Sequence, residues 1–331
     1  MKSGMKIADT MLDLIGDIPL VRLNHLGHET GAEILVKPEF LNPSGSIKDR
    51  IAVRMVEDAE RQGVLKKGVK IIEATGGNTG TALAFVSAVK GYDFIAYVPD
   101  EIADPSRLAI MLAYGAEAVT MDIDAYEETR SDLDSSKETR GAHGGYLELS
   151  GRQFCLDLTR EQDDVWWARQ FANANNVDAH REGTAQEILE KTDGELDAFV
   201  ASVGTGGTLF GVSQVLKEHN PGIVIWGVEP AGTPMVGEPG AYPIIPGVSD
   251  GIIKDIQESG LVDNVLPVTD EQAIDMAHQL VEKEGIFCGM SSGANVFAAL
   301  RLAKEFGPGK RIVTVLPDSR DRYLQYERYT T

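Results

Sequence analysis

The strongest constraint on this chain is an alternation. Short runs rich in β-branched and apolar residues, at 69–72, 94–98, 118–121, 198–203, 223–228 and 312–316, are separated by segments of helical period. Strands that are apolar throughout need cover on both faces, so mainly parallel sheets flanked by helices are expected, an α/β fold. In one helical segment Ala52, Met55, Val56 and Ala59 repeat at i, i+3, i+4 and i+7, and Gly63 is its expected stop. The strand runs fall into two groups, before about residue 125 and after about 195, and 331 residues is long for one core. Two open-sheet domains are expected, 1–165 and 166–331, with the ligand site in the cleft between them.

Charge narrows the choice of ligand. Thirty-one Lys and Arg stand against fifty-one Asp and Glu, a net charge of -20, which repels nucleic-acid phosphates and anionic lipid. No nucleic-acid or membrane partner is expected. The strongly apolar stretch 81–89 is about half the length of a bilayer-crossing helix, and residues 1–13 lack the apolar core of a signal peptide. Cys155 and Cys288 show no paired spacing, which points to free thiols and the cytoplasm, and no metal site is expected. The acid-rich stretch 122–138 reads as a solvated face or a mobile segment.

Four segments carry chemistry. In Asn42-Pro43-Ser44-Gly45-Ser46-Ile47-Lys48-Asp49-Arg50 a turn delivers Lys48 to a helix start, where the positive end of the helix dipole disfavours ammonium and favours a nucleophilic amine; a solvated first-turn lysine is the competing reading. In Glu73-Ala74-Thr75-Gly76-Gly77-Asn78-Thr79-Gly80 converging N–H groups and polar side chains can hold a carboxylate, or form an ordinary capped turn. Gly204-Thr205-Gly206-Gly207-Thr208, between a strand and a helix, lets a phosphate approach the backbone. A dinucleotide site is the rival there, but the third glycine of its G-x-G-x-x-G pattern falls on Leu209. In Cys288-Gly289-Met290-Ser291-Ser292-Gly293-Ala294-Asn295 a serine either meets a cofactor ring nitrogen or caps the helix.

In this order the four segments resemble the fold-type-II pyridoxal-phosphate (PLP) enzymes, the tryptophan synthase β-like fold, and specifically the cysteine synthase and cystathionine β-synthase family. The resemblance opens at Ile15-Gly16-Asp17-Ile18-Pro19-Leu20 and closes with Leu316-Pro317-Asp318-Ser319 and Arg322-Tyr323-Leu324. It implies that Lys48 is the Schiff-base lysine and takes the substrate's α-proton. It implies that Asn78 bonds the ring hydroxyl, Gly204, Thr205, Gly206, Gly207 and Thr208 hold the phosphate, and Ser291 faces the ring nitrogen. Thr75, Gly76, Asn78, Thr79 and Gln170 would take the substrate carboxylate. Residues from about 10 to 45 would pack on the second domain. The implied reaction is β-replacement on a serine-derived amino acid, cysteine from O-acetylserine and sulfide, by a homodimer with serine acetyltransferase as a possible partner.

The sequence also departs from that family. Gly76 stands where a side chain is usual, Arg169 stands in place of a second glutamine, and the interval from Met121 to Gln170 is longer by about twenty residues and includes Trp166 and Trp167, as a lid, an interface or inert surface. Asp250, in Gly247-Val248-Ser249-Asp250-Gly251, acts as a base for an incoming thiol or water, binds a cationic substrate tail, or is a turn residue facing solvent. Cystathionine synthesis, a cysteine lyase or water-adding enzyme releasing sulfide, and a catalytically retired binding protein are the alternatives. An end at Thr331 leaves no expected C-terminal regulatory module.

Overall fold

The computed structural model describes residues 7–100, 103–122, 149–231 and 251–325. Ten strands form among them: β1 (Val21–Arg22), β2 (Glu33–Pro38), β3 (Lys70–Ala74), β4 (Phe94–Pro99), β5 (Glu117–Met121), β6 (Val165–Trp167), β7 (Ala198–Ser202), β8 (Val224–Pro230), β9 (Asn264–Val268) and β10 (Arg311–Leu316). They make two sheets, ordered β1-β2-β10-β7-β8-β9 and β5-β4-β3-β6. Every pairing is parallel except β1 with β2. The inner strands β2, β3, β7 and β10 are buried along nearly their whole length, whereas β5 and β9, at sheet edges, keep exposed residues. That contrast is why the inner strands read as continuous apolar runs.

Helices α1 (Lys48–Arg61), α2 (Asn78–Lys90), α3 (Pro105–Ala113) and α4 (Leu149–Glu161) accompany the smaller sheet. Beyond them come α5 (Ala174–Ala179), a π-helical turn at His180–Thr184, α6 (Ala185–Thr192), α7 (Gly207–His219), α8 (Gly251–Ser259), α9 (Asp270–Glu284) and α10 (Met290–Phe306). The expected stripe of α1 is buried at Ala52, Met55, Val56 and Ala59, together with Ile51. Gly63, at φ +73°, takes the left-handed turn that ends it.

Each sheet has a core on both faces. Ile71, Ala96 and Val98 pack with Met55, Leu83 and Val86 of α1 and α2, while Ile72, Ala74, Cys155 and Trp167 close the other face of the smaller sheet. Val200, Ile312 and Leu316 pack beneath α10, and Phe199, Val313 and Val315 beneath α6 and α7. Trp166 and Trp167 are sheet residues of β6, whose backbone extends the ladder of β3, while residues 123–148 of the longer interval lie outside the described residues. Most of 122–138, and Asp250, lie outside the described residues.

Candidate functional site

The site is built at the C-terminal ends of parallel strands, where an α/β sheet presents helix N-termini. β3 runs into the Thr75–Asn78 turn, β7 into Gly204–Thr208, and β10 into Pro317–Asp318. Backbone bridges join Ser46 to Asp318 and Cys288 to Ser319, Ile47 N–H donates to Pro317 O at 2.8 Å, and Gly289 N–H donates to Asp318 O at 3.0 Å. The lysine turn and the start of α10 are thereby stitched to the same short segment after β10.

Lys48 is the first residue of α1, half-buried, and its backbone N–H donates to Ser46 Oγ at 3.3 Å. Behind it Asp49 is fully buried and accepts from Ser44 N–H at 2.7 Å and from the Ser44 hydroxyl; burial pushes its carboxyl up to about 6 against those bonds and the Arg322 charge. Arg50 locks the helix start into a buried charge network. Its guanidinium meets Glu39 at 2.7 and 2.9 Å and Glu187 at 2.7 and 2.8 Å, and Lys37 Nζ reaches Glu187 at 2.6 Å. Despite its burial, Glu187 is held down at about 2 by bonds and charge from Arg50 and Lys37. Burial pulls Lys37 below the usual lysine range, and the two carboxylates oppose that pull.

Asn78 opens α2, whose N-cap Gly77 provides no side-chain cap. Its amide is fixed at both ends: Nδ2 donates to Asp318 Oδ2 at 2.6 Å, and Oδ1 accepts from Arg322 at 2.9 Å. Tyr323 donates to the same Asp318 oxygen at 2.6 Å, and Arg322 also donates to Ser44 O. Thr75 Oγ1 accepts from the N–H groups of Gly77 and Gly80 at 3.4 and 3.3 Å, which replaces capping by Asn78 or Thr79.

A second chain of bonds ties this turn to the glycine loop after β7. Thr79 Oγ1 donates to Gln170 Oε1 at 2.6 Å, Asn176 Nδ2 donates to Gln170 O at 2.7 Å, and the same amide donates to Thr205 Oγ1 at 2.9 Å. Gln170 N–H donates to Glu73 Oε2 at 3.0 Å, while Glu73 Oε1 takes Trp167 Nε1 and Ala74 N–H at 2.9 and 3.0 Å. Glu73 is wholly buried, and burial pushes its carboxyl up to about 7 in spite of these donors. Gly76 lies buried within the turn, and Arg169, at φ +57°, points its exposed side chain over the Trp167 ring rather than into the site.

In the glycine loop Gly206, at φ +90°, is the N-cap of the 13-residue α7 and offers no side chain to its first-turn N–H groups. A Cβ built on Gly204 or on Gly77 meets nothing within 4 Å, so both turns face open space. Neutral hydroxyls and backbone N–H groups at a helix N-terminus are the donor set for a dianion. At α10 the N-cap is Gly289 without a side-chain cap bond, so Ser291 does not cap the helix and stands half-buried in its first turn. A glycine-capped helix N-terminus with the donor set for a dianion, a lysine at a helix start, an amide held between two charges and an uncharged serine are chemistry that fits the phosphate, aldehyde and heteroaromatic ring of PLP. These features define an α/β enzyme built around a phosphorylated cofactor.

Comparison with known proteins gives the family. The "Pyridoxal-phosphate dependent enzyme" profile matches residues 11–318. A cysteine synthase of Staphylococcus aureus (strain Mu50) is 38% identical over 330 residues, 99% of each chain, and a probable cysteine synthase of Bacillus subtilis (strain 168) is 40% identical over 98% of this chain and 99% of its own. The crystal structure of the Entamoeba histolytica cysteine synthase superposes with TM-score 0.82 at 35% identity, covering 100% of this chain and 93% of that one. A hydrogen sulfide-producing enzyme of Fusobacterium nucleatum gives TM-score 0.81 at 36% identity, over 96% and 99% of the two chains. This chain belongs to the pyridoxal-phosphate-dependent enzyme family, within its cysteine synthase group, and has the fold-type-II architecture with PLP as its cofactor.

The sequence singles out every turn in the site but gives no role to the groups behind them. Asp318, Arg322 and Tyr323 stand there only within matching segments, and Glu73 heads a motif without a function. Asn176 and His180 carry no signal in a linear reading, because the contacts that tie them to the glycine loop, with Thr205 and Thr208, span 29 and 28 residues. Asp250 falls outside the described residues.

Proposed function

We propose that the protein makes cysteine by β-replacement, from O-acetylserine or a related activated serine and sulfide. The observation that carries this reading is the pair of bond chains joining the Lys48 turn, the Thr75–Thr79 turn and the Gly204–Thr208 cradle into one site. Full-length similarity to proteins named cysteine synthase supports it. Gly204 to Thr208 would hold the cofactor's phosphate, Asn78 its ring hydroxyl and Ser291 its ring nitrogen. Bound PLP supplies the electron-withdrawing ring that acidifies the substrate's α-carbon, and an uncharged serine partner limits that withdrawal and favours β-elimination over transamination. Thr75, Gly76, Asn78, Thr79 and Gln170 would seat the substrate carboxylate at the start of α2. Lys48 Nζ would link to the cofactor at rest and take the α-proton during turnover.

A second reading, release of sulfide from cysteine or use of another nucleophile, draws on Gly76, which leaves the substrate turn without a side chain. It also draws on the similarity to the sulfide-producing enzyme and to O-ureido-L-serine synthase, the latter at 34% identity and TM-score 0.81 over 98% of this chain and 96% of that one. In this reading Asp250 is the base for a thiol or water. We take the two sheets as two domains, with residues 21–38 in the sheet of the second and the seam after β6 rather than at 165. A cytoplasmic homodimer is the assembly we propose, supported by family resemblance and by two buried free cysteines, with serine acetyltransferase as its candidate partner.

Purified protein supplied with O-acetylserine, serine, O-phosphoserine or cysteine, each with sulfide, homocysteine or water, separates the readings by product. Lys48→Ala is expected to abolish turnover and the visible band of bound PLP while leaving the fold intact, since a half-buried first-turn side chain contributes little to packing. Turnover by this variant overturns the assignment.

A further inference from the structure

His180 occupies no position in the mechanism above, yet it is fully buried directly behind the phosphate cradle. It opens the π-helical turn before α6, and its two ring nitrogens have different partners: Nδ1 lies 2.9 Å from Thr184 Oγ1, and Nε2 lies 3.1 Å from Thr208 Oγ1. Two glycines one turn apart on α7 make this approach possible. A Cβ on Gly211 would meet Val177 O at 2.5 Å and His180 Cβ at 2.9 Å, and one on Gly207 would overlap the Asn176 side chain. Helix α5 and the π-helical turn that continues it therefore touch α7 so closely at these two positions that neither leaves room for a Cβ.

The ring is neutral: burial, reinforced by the positive charges of Lys48 and Arg50, holds it well below the usual histidine range. A neutral imidazole carries one proton, and two arrangements satisfy both neighbours. With the proton on Nδ1, the ring donates to Thr184 and the Thr208 hydroxyl is spent donating to Nε2, so Thr208 presents only lone pairs to the cradle. With the proton on Nε2, the ring donates to Thr208, the buried Thr184 hydroxyl donates to Nδ1, and the Thr208 proton is released toward the cradle. A phosphate dianion has only acceptors and selects the second.

We propose that Thr184, His180 and Thr208 form a one-directional hydrogen-bond relay, with His180 as a positioning residue that carries its proton on Nε2 so that Thr208 donates to the cofactor's phosphate. The proposal rests on the reading that Gly204–Thr208 is the phosphate site. Long-range 1H–15N spectra of the histidine-labelled holoenzyme test it on unmodified protein, with the His180 signals assigned among the six histidines by their shift in Thr184→Val. The expected result is a protonated Nε2 and an unprotonated Nδ1; a proton on Nδ1, or on both nitrogens, overturns the relay. Cofactor titration gives the second readout. His180→Leu is expected to raise the PLP dissociation constant at least tenfold, whereas His180→Gln, whose amide N–H can still reach Thr208, stays within about threefold of wild type, taking about 1.4 kcal/mol per decade. Equal weakening by Leu and Gln assigns the residue to packing alone and overturns the proposal. Gly206→Asp tells the two readings apart: unchanged PLP affinity there removes the phosphate site itself, whereas weakened affinity with Nδ1 protonated removes only the relay.

Discussion

Substituting Asp318 by Asn tests whether the amide of Asn78 is aligned from behind. In the native arrangement Asn78 donates to Asp318 Oδ2 at 2.6 Å and accepts from Arg322 at 2.9 Å. Flipping that amide would set oxygen against carboxylate and NH2 against guanidinium, losing two charge-assisted bonds of about 1.5–3 kcal/mol each. The flipped form is therefore negligible in the wild type. An amide in place of the Asp318 carboxylate can still accept from Asn78 and Tyr323 through its oxygen, but as a neutral group with roughly half the strength. Its NH2 can equally meet a flipped Asn78, so the orientational preference falls by about 1.5–3 kcal/mol, leaving the Arg322 bond as the main restraint. PLP affinity is expected to drop about five- to thirtyfold, equivalent to roughly 1–2 kcal/mol. Absorbance titration of the apoenzyme with PLP measures it, in a cycle with Asn78→Ala. In the Asn78→Ala background Asp318→Asn should have no further effect on affinity, because nothing remains to be aligned. An effect of the same size in both backgrounds would show that Asp318 acts through the general integrity of the Ser46 and Gly289 bridges and has no aligning role.

Glu73 predicts a pH dependence of stability. Its carboxyl is raised from 4.5 to about 7 in the folded protein, so the native state binds the proton more tightly across that window, and stability present below pH 4.5 is lost as pH rises to 7, up to about 3 kcal/mol. Glu73→Gln should flatten that segment of the melting-temperature profile; an unchanged profile would assign the titration elsewhere. Glu187 has the opposite sign: its stabilising contribution is complete above about pH 4.5 and disappears as pH falls toward 2. Glu187→Gln, which leaves Arg50 and Lys37 short of buried negative charge, should cost about 3–5 kcal/mol in chemical denaturation, and a loss under about 1 kcal/mol would mean that the network rearranges around the amide.

What the sequence discloses follows from the range over which its signals act. The buried runs, the α1 stripe and the glycine turns are local: a strand buried on both faces is apolar throughout, and a turn at φ +90° such as that of Gly206 is most readily made by glycine. Those features place Lys48, Asn78, Gly206 and Ser291 at helix starts without any knowledge of topology. β1 and β6 do not stand out as strands in the sequence, since two or three residues give no period to detect and exist only because β2 and β3 offer an edge. Trp166 and Trp167 take their place in the sheet for that reason, from the ladder to Ile71 and Ile72 rather than from a pattern of their own.

The groups that the sequence does not reveal share one property, namely that each acts on a residue of the site rather than on a ligand. Asp318 is 240 residues from Asn78, Glu73 is 97 from Gln170, and Asn176 is 29 from Thr205. Such separations are bridged by sheet order, which sets β6 beside β3 and β10 beside β7, and by the packing of one sheet's turns on the other's, which brings the end of β3 to those of β7 and β10. The same distance explains their chemistry. A residue that only supports another need not face solvent, so it can be buried and charged, provided that every oxygen meets a donor. Glu73 satisfies this with three N–H donors and Glu187 with Arg50, Lys37 and the backbone of Asp17 and Ile18. Asp318 does not, because its Oδ1 is buried without a hydrogen-bond partner among the described residues, directly against the Cα of Gly289. An unmet acceptor on a carboxylate costs about 1–3 kcal/mol. Its other oxygen takes both Asn78 and Tyr323, so the carboxylate is held by the demands of the site rather than by its own stability. A stability-driven selection would replace it; Asp318→Asn should therefore cost far less in folding free energy than in cofactor affinity, and denaturation alongside the PLP titration would reveal that inequality or its reverse.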